Sequence, residues 1–465
     1  MNISLWQTPT LPAATTKQML TPPTQVSESP LAAISPAQND SPTPVTTVTL
    51  SAAKPAQEKS PTYEQPLVNV VQVRNQQDTT PAAAAMTKQL GATLSSFSSG
   101  KSNFSVGNIF SQIGNLSRET TEYRNEARST KMANDKLSDK FAIDFSTSKG
   151  NQQHGVTLSI RTKDGDTIDI NISQSRSTSG DNLEFSFVVT GELSEAEQDA
   201  IEKLTAKLGN MADDFFNAGS ASLRGLKDID KTVIQGFNVE FKKPDGEKFS
   251  TMSYDFSLDD IAQTQQLKAK DIHGYSIDIK TDLQGILKES GNSSQNSLHE
   301  YLRIIRKALN EHQASSQSSS FIVDSFSSAI MPSNPSENSA PVSPLSAFDT
   351  GLADFTLIIQ APLHHNRHNY LYPEAMQLTL EQNTSQEQHG ERTIAKQTSS
   401  YELNSSRIKG AGGGPEGDLK FGHFNYKTMH VKEQVSRLLD VTNDVVNNMY
   451  TENNYSVNKD RKSVV

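Results

Sequence analysis

The sequence predicts an α+β fold: an antiparallel β-meander packed by amphipathic helices, preceded by a long disordered N-terminal region, with a smaller second α+β region. Three observations support this prediction. Apolar residues recur at every second position in several segments, which is typical of strands with one buried face. Other segments repeat apolar residues every three or four positions, behind helix-capping residues. Prolines cluster on both sides of the first such region and mark breaks in packed structure.

The first region opens with strands whose apolar faces can be matched. A two-residue loop at Asp164-Gly165 would place Ile160 and Ile168 on opposite faces, whereas a three-residue loop pairs them. The sequence therefore predicts a loop of Lys163, Asp164 and Gly165, with Gly165 in the left-handed conformation. The alternating segments are 141–145, 156–160, 168–172 and 183–189.

A second hairpin follows further along the chain. With Pro244-Asp245-Gly246 as its loop, Phe241 lies opposite Phe249. The alternating apolar residues from Met252 onward are then one residue out of phase with this pairing. The sequence therefore predicts a β-bulge near Ser250–Thr251, because one extra residue restores the face.

Two helices are predicted to cover this sheet. Ser194 and Glu197 form a capping box ahead of an apolar stripe that continues to Phe215. Ser297 and Glu300 repeat the same signature ahead of a second stripe. One further strand is predicted around Ile277, so the helices and strands form an antiparallel meander with helices on one face.

Proline placement predicts the domain boundaries. Of the 20 prolines, 12 lie between Pro9 and Pro81, and seven lie between Pro332 and Pro415. A Pro-, Ser- and Thr-rich segment buries too little apolar surface to offset its chain entropy. The predicted parts are a disordered arm at 1–100, a helical lead-in at 101–137, an α+β domain at 138–314, a Ser/Pro-rich linker at 315–347, a smaller α+β domain at 348–450 and a polar tail at 451–465.

The smaller domain is less regular. Its strand candidates are 355–360, 376–381 and 419–426. The apolar residues from Val431 to Met449 recur at nearly heptad spacing, which predicts a helix, with Thr442 at one seam position. This helix would either pack on its own small sheet or present a face to a partner or a coiled coil.

Composition excludes several classes of function. The chain has no Cys, so it has no disulfide framework, thiolate metal site or Cys nucleophile. Its net charge of −10 argues against nucleic acid as a partner, because such binding needs a basic face. No run of about 18 apolar residues occurs, so no transmembrane segment is predicted. The first residues lack the features of a secretory signal, and we expect a cytoplasmic protein, or alternatively one exported without a cleavable signal peptide.

One cluster suggests metal chemistry. On a helix, His364 and His368 would share one face at i and i+4, with His365 beside them. The Glu that zinc peptidases place next to the first His is replaced by His365. Pro362 and Pro373 bracket the stretch, which favours a polar loop. The alternatives are therefore a metal site of a metal-dependent hydrolase and a polar loop. No other cofactor is predicted.

Four segments together resemble a family of uncharacterised proteins from Gram-negative bacteria, in the gammaproteobacteria. The segments are residues 158–168, the run Phe185-Ser186-Phe187, residues 191–197 and Ala212–Phe216. The resemblance covers about residues 141–260. It implies a bacterial origin and a shared α+β module, and it brings no catalytic residues.

The sequence has clear patterns of strands and helices but no complete set of catalytic residues. This combination leads to a hypothesis about function. We expect a bacterial interaction or adaptor protein without catalytic activity. Its protein partner and its oligomeric state are not specified by the sequence. The alternatives are the metal-dependent hydrolase and a surface-associated protein exported without a leader.

Overall fold

The computed structural model describes residues 67–74, 80–100, 103–133, 142–146, 150–221, 229–283, 291–330, 350, 352–366, 369–410, 424–443 and 445–464. The chain divides into two units, Met1–Tyr63 and Glu64–Val465, and every described residue belongs to the second. The predicted disordered arm up to residue 66 and the predicted linker from residue 331 onward lie outside the described residues. None of the described helices has the length and apolar character needed to cross a membrane.

The described residues form six helices and fifteen strands. The helices are α1 (Pro81–Ser98), α2 (Gly107–Phe110), α3 (Ile113–Glu119), α4 (Glu195–Ala218), α5 (Gly291–Glu311) and α6 (Ser316–Ile330). The first nine strands are β1 (Leu67–Val73), β2 (Glu122–Ala133), β3 (Asn151–Thr162), β4 (Thr167–Ser177), β5 (Gly180–Thr190), β6 (Ile234–Asp245), β7 (Lys248–Asp259), β8 (Thr264–Lys270) and β9 (Ser276–Asp282). The others are β10 (Phe355–Gln360), β11 (His364–Asn366), β12 (Asn369–His389), β13 (Arg392–Gly410), β14 (Phe424–Thr442) and β15 (Val445–Val464).

One antiparallel sheet joins fourteen of the described strands, in the order β1-β2-β5-β4-β3-β6-β7-β8-β9-β10-β12-β13-β14-β15, and β11 pairs with β12. Its registers place the buried apolar side chains of β5 to β14 on one face, here called the inner face. The opposite face is the outer face. One buried row across the inner face contains Phe187, Ile170, Leu158, Val239, Tyr254, Ala269, Ile277, Ile359, Leu378, Leu403 and Val431.

Helices pack on this inner face along the sheet. Phe215 of α4 lies 5.8 Å from the ring of Phe241, measured between centroids. Further along, Tyr301 of α5 and Phe326 of α6 lie 5.0 and 5.5 Å from the ring of Phe355. These contacts bury large apolar side chains from both layers, which is the dominant favourable contribution to folding. The predicted α+β class, a meander covered by helices, is confirmed.

The polar end of Tyr301 is also satisfied. Its hydroxyl lies 3.0 Å from Gln382 Oε1 and 3.2 Å from Ser399 Oγ. Gln382 in turn donates through Nε2 to the carbonyl oxygen of Leu352 at 2.9 Å. Burial raises the pKa of Tyr301, so the phenol stays protonated. The ring of Tyr301 therefore packs α5 against β10, and its hydroxyl joins α5 to β12 and β13 through hydrogen bonds.

The first predicted hairpin is confirmed. Ile160 pairs with Ile168, and Thr162 N donates to Asp166 O over the predicted three-residue loop. Gly165 has a φ of +99°, where a side chain would be strained. The capping box at Ser194 and Glu197 is present as well, ahead of α4.

The predicted bulge in the second hairpin is wrong. β6 and β7 pair Asp245 with Lys248, so the turn has two residues, Gly246 and Glu247. Phe241 then faces Met252 and the apolar residues stay in phase without a bulge. Phe249 instead falls on the outer face, where the Lys242 ammonium lies 4.1 Å from its ring centroid.

Two segments predicted to be unstructured contain helices. Within the predicted arm, β1 and α1 are formed; Thr80 caps α1, and Pro81 occupies its first turn. Within the predicted linker, α6 buries Phe321, Ile322 and Phe326. Proline is tolerated in a first helical turn, so Pro81 begins a helix rather than breaking one.

The C-terminal predictions also need correction. Residues 431–449 form parts of β14 and β15 rather than a helix, and the predicted polar tail continues β15 to Val464. Val431, Val435 and Leu439 are buried on alternate positions of β14, against β13. One sheet runs through both predicted domains, because β9 of the first predicted domain pairs with β10 of the second.

Smaller differences concern the ends of elements. Residues 142–146 form no strand, and Phe141 lies outside the described residues. The predicted helical lead-in contains α2 and α3, and then continues as β2. Helix α5 already begins at Gly291, so Ser297 is inside it rather than at its cap.

Candidate functional site

The histidine cluster does not form the predicted helical pair. His364 and His365 lie in the short strand β11, where His364 pairs with Glu374 of β12 and is exposed. His368 lies outside the described residues. Among the residues that the structure describes, no group of three or more His, Asp or Glu side chains is arranged to hold a metal. A metal site that includes His368 stays a prediction.

One histidine that sequence reasoning did not consider is packed among aromatic rings. The His154 ring lies 5.7, 4.8 and 5.6 Å from the rings of Phe97, Phe104 and Phe216, measured between centroids. Its Nδ1 lies 2.9 Å from Gln174 Oε1. Gln174 Nε2 donates to the Ser175 carbonyl, so Oε1 is the acceptor and Nδ1 carries the hydrogen. Burial, with a smaller effect of Arg176, lowers the pKa of His154.

This lowered pKa predicts a pH-dependent stability. An unfolded His titrates near about 6.5. Between that value and the lower folded value, the unfolded chain binds more protons, so stability decreases as the pH falls below about 6.5. We expect a lower urea midpoint at about pH 5.5 than at about pH 7.5, and a smaller decrease in His154→Phe. His312, whose pKa is also lowered by burial, contributes the remaining decrease. His299→Gln is the control at an exposed site. The prediction is contradicted if acidification lowers the urea midpoint of His154→Phe as much as that of His299→Gln.

The two ends of the sheet differ in how they are covered. Strand β1 is short, with seven residues, and α1 packs against it where Val73 approaches Gly91. Strand β15 has 20 residues, and its outer edge pairs with no described strand. Every second residue of such an edge points its N–H and C=O groups away from the sheet. β15 therefore offers a long row of backbone donors and acceptors.

Apolar side chains accompany this edge. Residues of β15 that pair with inner-face residues of β14 are themselves on the inner face. Four of them are exposed and apolar, although the same face is buried on β14. We call this set the edge stripe: Val446, Met449, Tyr455 and Val457. Thr451 and Asn453 lie between Met449 and Tyr455 on the same face, so the stripe consists of two apolar pairs. Exposed apolar groups beside unpaired backbone are typical of an interaction surface.

The outer face near the same edge is polar. Side chains from five neighbouring strands form one row across it, at registered positions. His430 Nδ1 contacts Asn404 Oδ1 within this row. A groove of about 490 Å³ runs along it. The row consists of Gln360, Gln377, Asn404, His430 and Asn458, and it contains no Asp, Glu, Lys or Arg.

A second groove, of about 590 Å³, has a different character. It lies between α5 and the end of β13, and four of its lining residues are cations. Arg303 forms an ion pair with Glu300 at 2.9 Å, and Arg407 donates to the carbonyl oxygen of Glu311. The cations that line the groove are Arg303, Arg306, Lys307 and Arg407.

Sequence reasoning missed both the edge stripe and this basic groove. The alternation of Tyr455 and Val457 in the predicted tail was the available signal for a strand. The contribution of Arg407 could not be seen, because it depends on the packing of α5 on the sheet. Comparison of the chain with protein-family models, with curated proteins and with solved structures finds no match. The resemblance over about residues 141–260 stays a prediction.

Proposed function

We propose that the protein is an interaction protein without catalytic activity, and that it binds an extended segment of a partner along the free edge of β15. The observation that carries this proposal is the combination of a 20-residue open edge with the edge stripe on its inner face. An extended peptide that adds to a sheet edge gains affinity from main-chain hydrogen bonds and specificity from alternate side chains.

Strand β15 lacks several devices that protect natural edges. It is long, and it contains no proline between Val445 and Val464. Its basic residues are confined to the C-terminal part, beyond Val457. The N-terminal part exposes Met449 to 66% and Tyr455 to 48%. Such an edge is expected to pair with another strand.

The side chains of β15 specify the chemistry of the partner. Along the inner face, the edge stripe is followed by Lys459, which registers opposite Met429 of β14. An antiparallel partner strand would place its N-terminal part near Lys459. The complementary segment therefore carries an acidic residue first, and then apolar residues at alternate positions.

A synthetic peptide with this pattern tests the proposal. Glu occupies its first inward-facing position, and Val or Ile occupies the following inward-facing positions. We expect saturable binding by fluorescence polarisation, together with slower hydrogen exchange of β15 amides in the complex. A scrambled peptide of the same composition is the peptide control.

Two variants at adjacent positions provide a matched comparison. Met449→Lys places a charge in the edge stripe and is expected to lower peptide affinity at least about tenfold, or about 1.4 kcal/mol. Tyr450→Lys makes the same change on the outer face, where Tyr450 is 58% exposed and registers opposite Leu438, and is expected to leave affinity unchanged. Three results would contradict the proposal. The scrambled peptide could bind as well as the designed one, both variants could have equal effects, or the protein could self-associate through β15 instead of binding the peptide.

A further inference from the structure

Five exposed polar side chains form one row across the outer face of the sheet. They belong to β10, β12, β13, β14 and β15, and each is the registered partner of the next. Neighbouring strands lie about 4.7–4.9 Å apart, so the row presents one polar side chain at each such step. We call this set the polar row: Gln360, Gln377, Asn404, His430 and Asn458.

One part of the polar row is oriented by hydrogen bonds. Asn404 Nδ2 donates to Glu402 Oε1 at 3.2 Å, so Oδ1 of the same amide is the acceptor for His430 Nδ1 at 2.5 Å. With its hydrogen on Nδ1, the neutral imidazole presents Nε2 as an acceptor. The other three side chains of the row form no hydrogen bond with any described residue. Their amide donors and acceptors are therefore available to a ligand.

The polar row borders a groove with a floor of small side chains. Ala375, Ser406 and Thr428 register opposite one another on β12, β13 and β14, two residues from the row on each strand. All three line the groove of about 490 Å³, a volume within the range of about 300–1,000 Å³ that small-molecule sites occupy. Among the described residues, its lining contains no Asp, Glu, Lys or Arg. A ligand that fits this groove therefore needs hydrogen-bonding groups rather than charge.

The groove is not closed at the β10 end of the polar row. Gln360 also lines a further groove, of about 420 Å³, that continues over β6 to β9 on the same face. A long ligand can thus extend past Gln360 onto the neighbouring strands. This continuity favours a chain molecule over a compact one.

We propose that the polar row binds a neutral, linear oligosaccharide in an extended conformation. A primary amide donates and accepts hydrogen bonds at once, which matches the paired hydroxyl and acetamido groups of sugars. In a flat β-1,4-linked chain, each sugar unit advances by about the distance between neighbouring strands. Successive sugar units therefore meet successive members of the row. The described lining offers no cation to a phosphate or to an acidic sugar.

Isothermal titration of the full chain with chitohexaose and with cellohexaose tests this site. We expect saturable binding of at least one of them, with one hexasaccharide per chain. The trisaccharide of the same series is expected to bind at least about tenfold more weakly, because it reaches fewer members of the row. Since the ligand has no charge, raising NaCl from about 50 to about 500 mM is expected to change the affinity by less than about twofold. Maltohexaose, whose α-1,4 linkages curve the chain, is the shape control and is expected to bind more weakly.

Two double variants on the same strands provide a matched comparison. Gln377→Ala, His430→Ala removes two members of the polar row and is expected to lower the affinity at least about tenfold. Asn383→Ala, Gln434→Ala removes two amides from β12 and β14, at exposed outer-face positions that do not line the groove. This second variant is expected to retain the affinity. Far-UV circular dichroism of both variants checks that the sheet is intact.

The proposal is overturned if neither hexasaccharide binds the unmodified chain saturably, or if maltohexaose binds as well as they do. It is also overturned if the two double variants lose affinity equally. A neutral peptide of alternating Gly and Ser that binds while both hexasaccharides do not would make the groove a peptide site, which contradicts the proposal as well. None of these variants changes the edge stripe, so this test and the peptide test of the β15 edge can fail separately.

Discussion

Replacing Glu126 with Gln is expected to lower the free energy of unfolding by about 3–5 kcal/mol, because it breaks a buried ion pair from one side. Glu126 Oε1 lies 2.6 Å from Arg128 Nε, and both side chains are 7% exposed. Arg128 also donates to the carbonyl oxygen of Asp144 and lies over the ring of Phe145. These contacts hold the guanidinium in place, so it cannot easily turn to water when its carboxylate is removed.

The same strand contains a control with identical spacing. Glu122 and Arg124, also two residues apart on β2, form an ion pair at 3.0 Å with side chains 61% and 64% exposed. Glu122→Gln is expected to cost at most about 1 kcal/mol, since water solvates the remaining charge. Urea unfolding followed by circular dichroism measures both. A loss of unfolding free energy below about 1 kcal/mol for Glu126→Gln would contradict the prediction, because it would mean that the charge of Arg128 does not depend on the Glu126 carboxylate.

Replacing Tyr301 with Ala is expected to destabilise the protein by about 3–5 kcal/mol, the usual cost of truncating a fully buried aromatic side chain. Its ring packs against Phe326 and Phe355, at centroid distances of 6.3 and 5.0 Å. The loss would therefore loosen the contact of α5 and α6 with the sheet. The decrease in the urea midpoint reports the total cost.

A conservative variant separates packing from hydrogen bonding at this position. Tyr301→Phe keeps the ring, and the oxygen Oε1 of Gln382 still accepts from Thr350 Oγ1 at 2.9 Å. We expect a cost of about 0.5–1.5 kcal/mol, the value of one hydrogen bond. Tyr450→Ala, at an exposed site, is expected to change stability by less than about 0.5 kcal/mol. Equal costs for Tyr301→Ala and Tyr301→Phe would mean that the hydroxyl rather than the ring fastens α5.

Local patterns predicted those parts of the fold that depend on neighbouring residues. The pairing of Ile160 with Ile168 follows from loop length and alternation, and both are visible within one short segment. The cap at Ser194 is equally local. Strand β14 was assigned wrongly because the spacing of Val431, Val435 and Leu439 suits a helix as well as a strand. Only β13 and β15, which pair along its whole length, decide between the two.

The candidate surfaces depend on longer-range arrangements. The edge stripe becomes visible only when β15 is known to end the sheet among the described strands. The polar row from Gln360 to Asn458 depends on four registers, and a shift of one residue in any of them would move side chains to the other face. In the sequence, these residues look like isolated polar side chains on separate segments.

The connectivity of the sheet has a consequence for how the chain assembles. From β12 to β15, each strand pairs with the strand that follows it, and the turn at Gly390 and Glu391 joins β12 to β13, whereas 13 residues separate β13 from β14. Contacts between segments close in sequence form quickly, since little loop entropy is lost. The C-terminal part can therefore extend hairpin by hairpin as translation proceeds, and each finished strand serves as the template for the next.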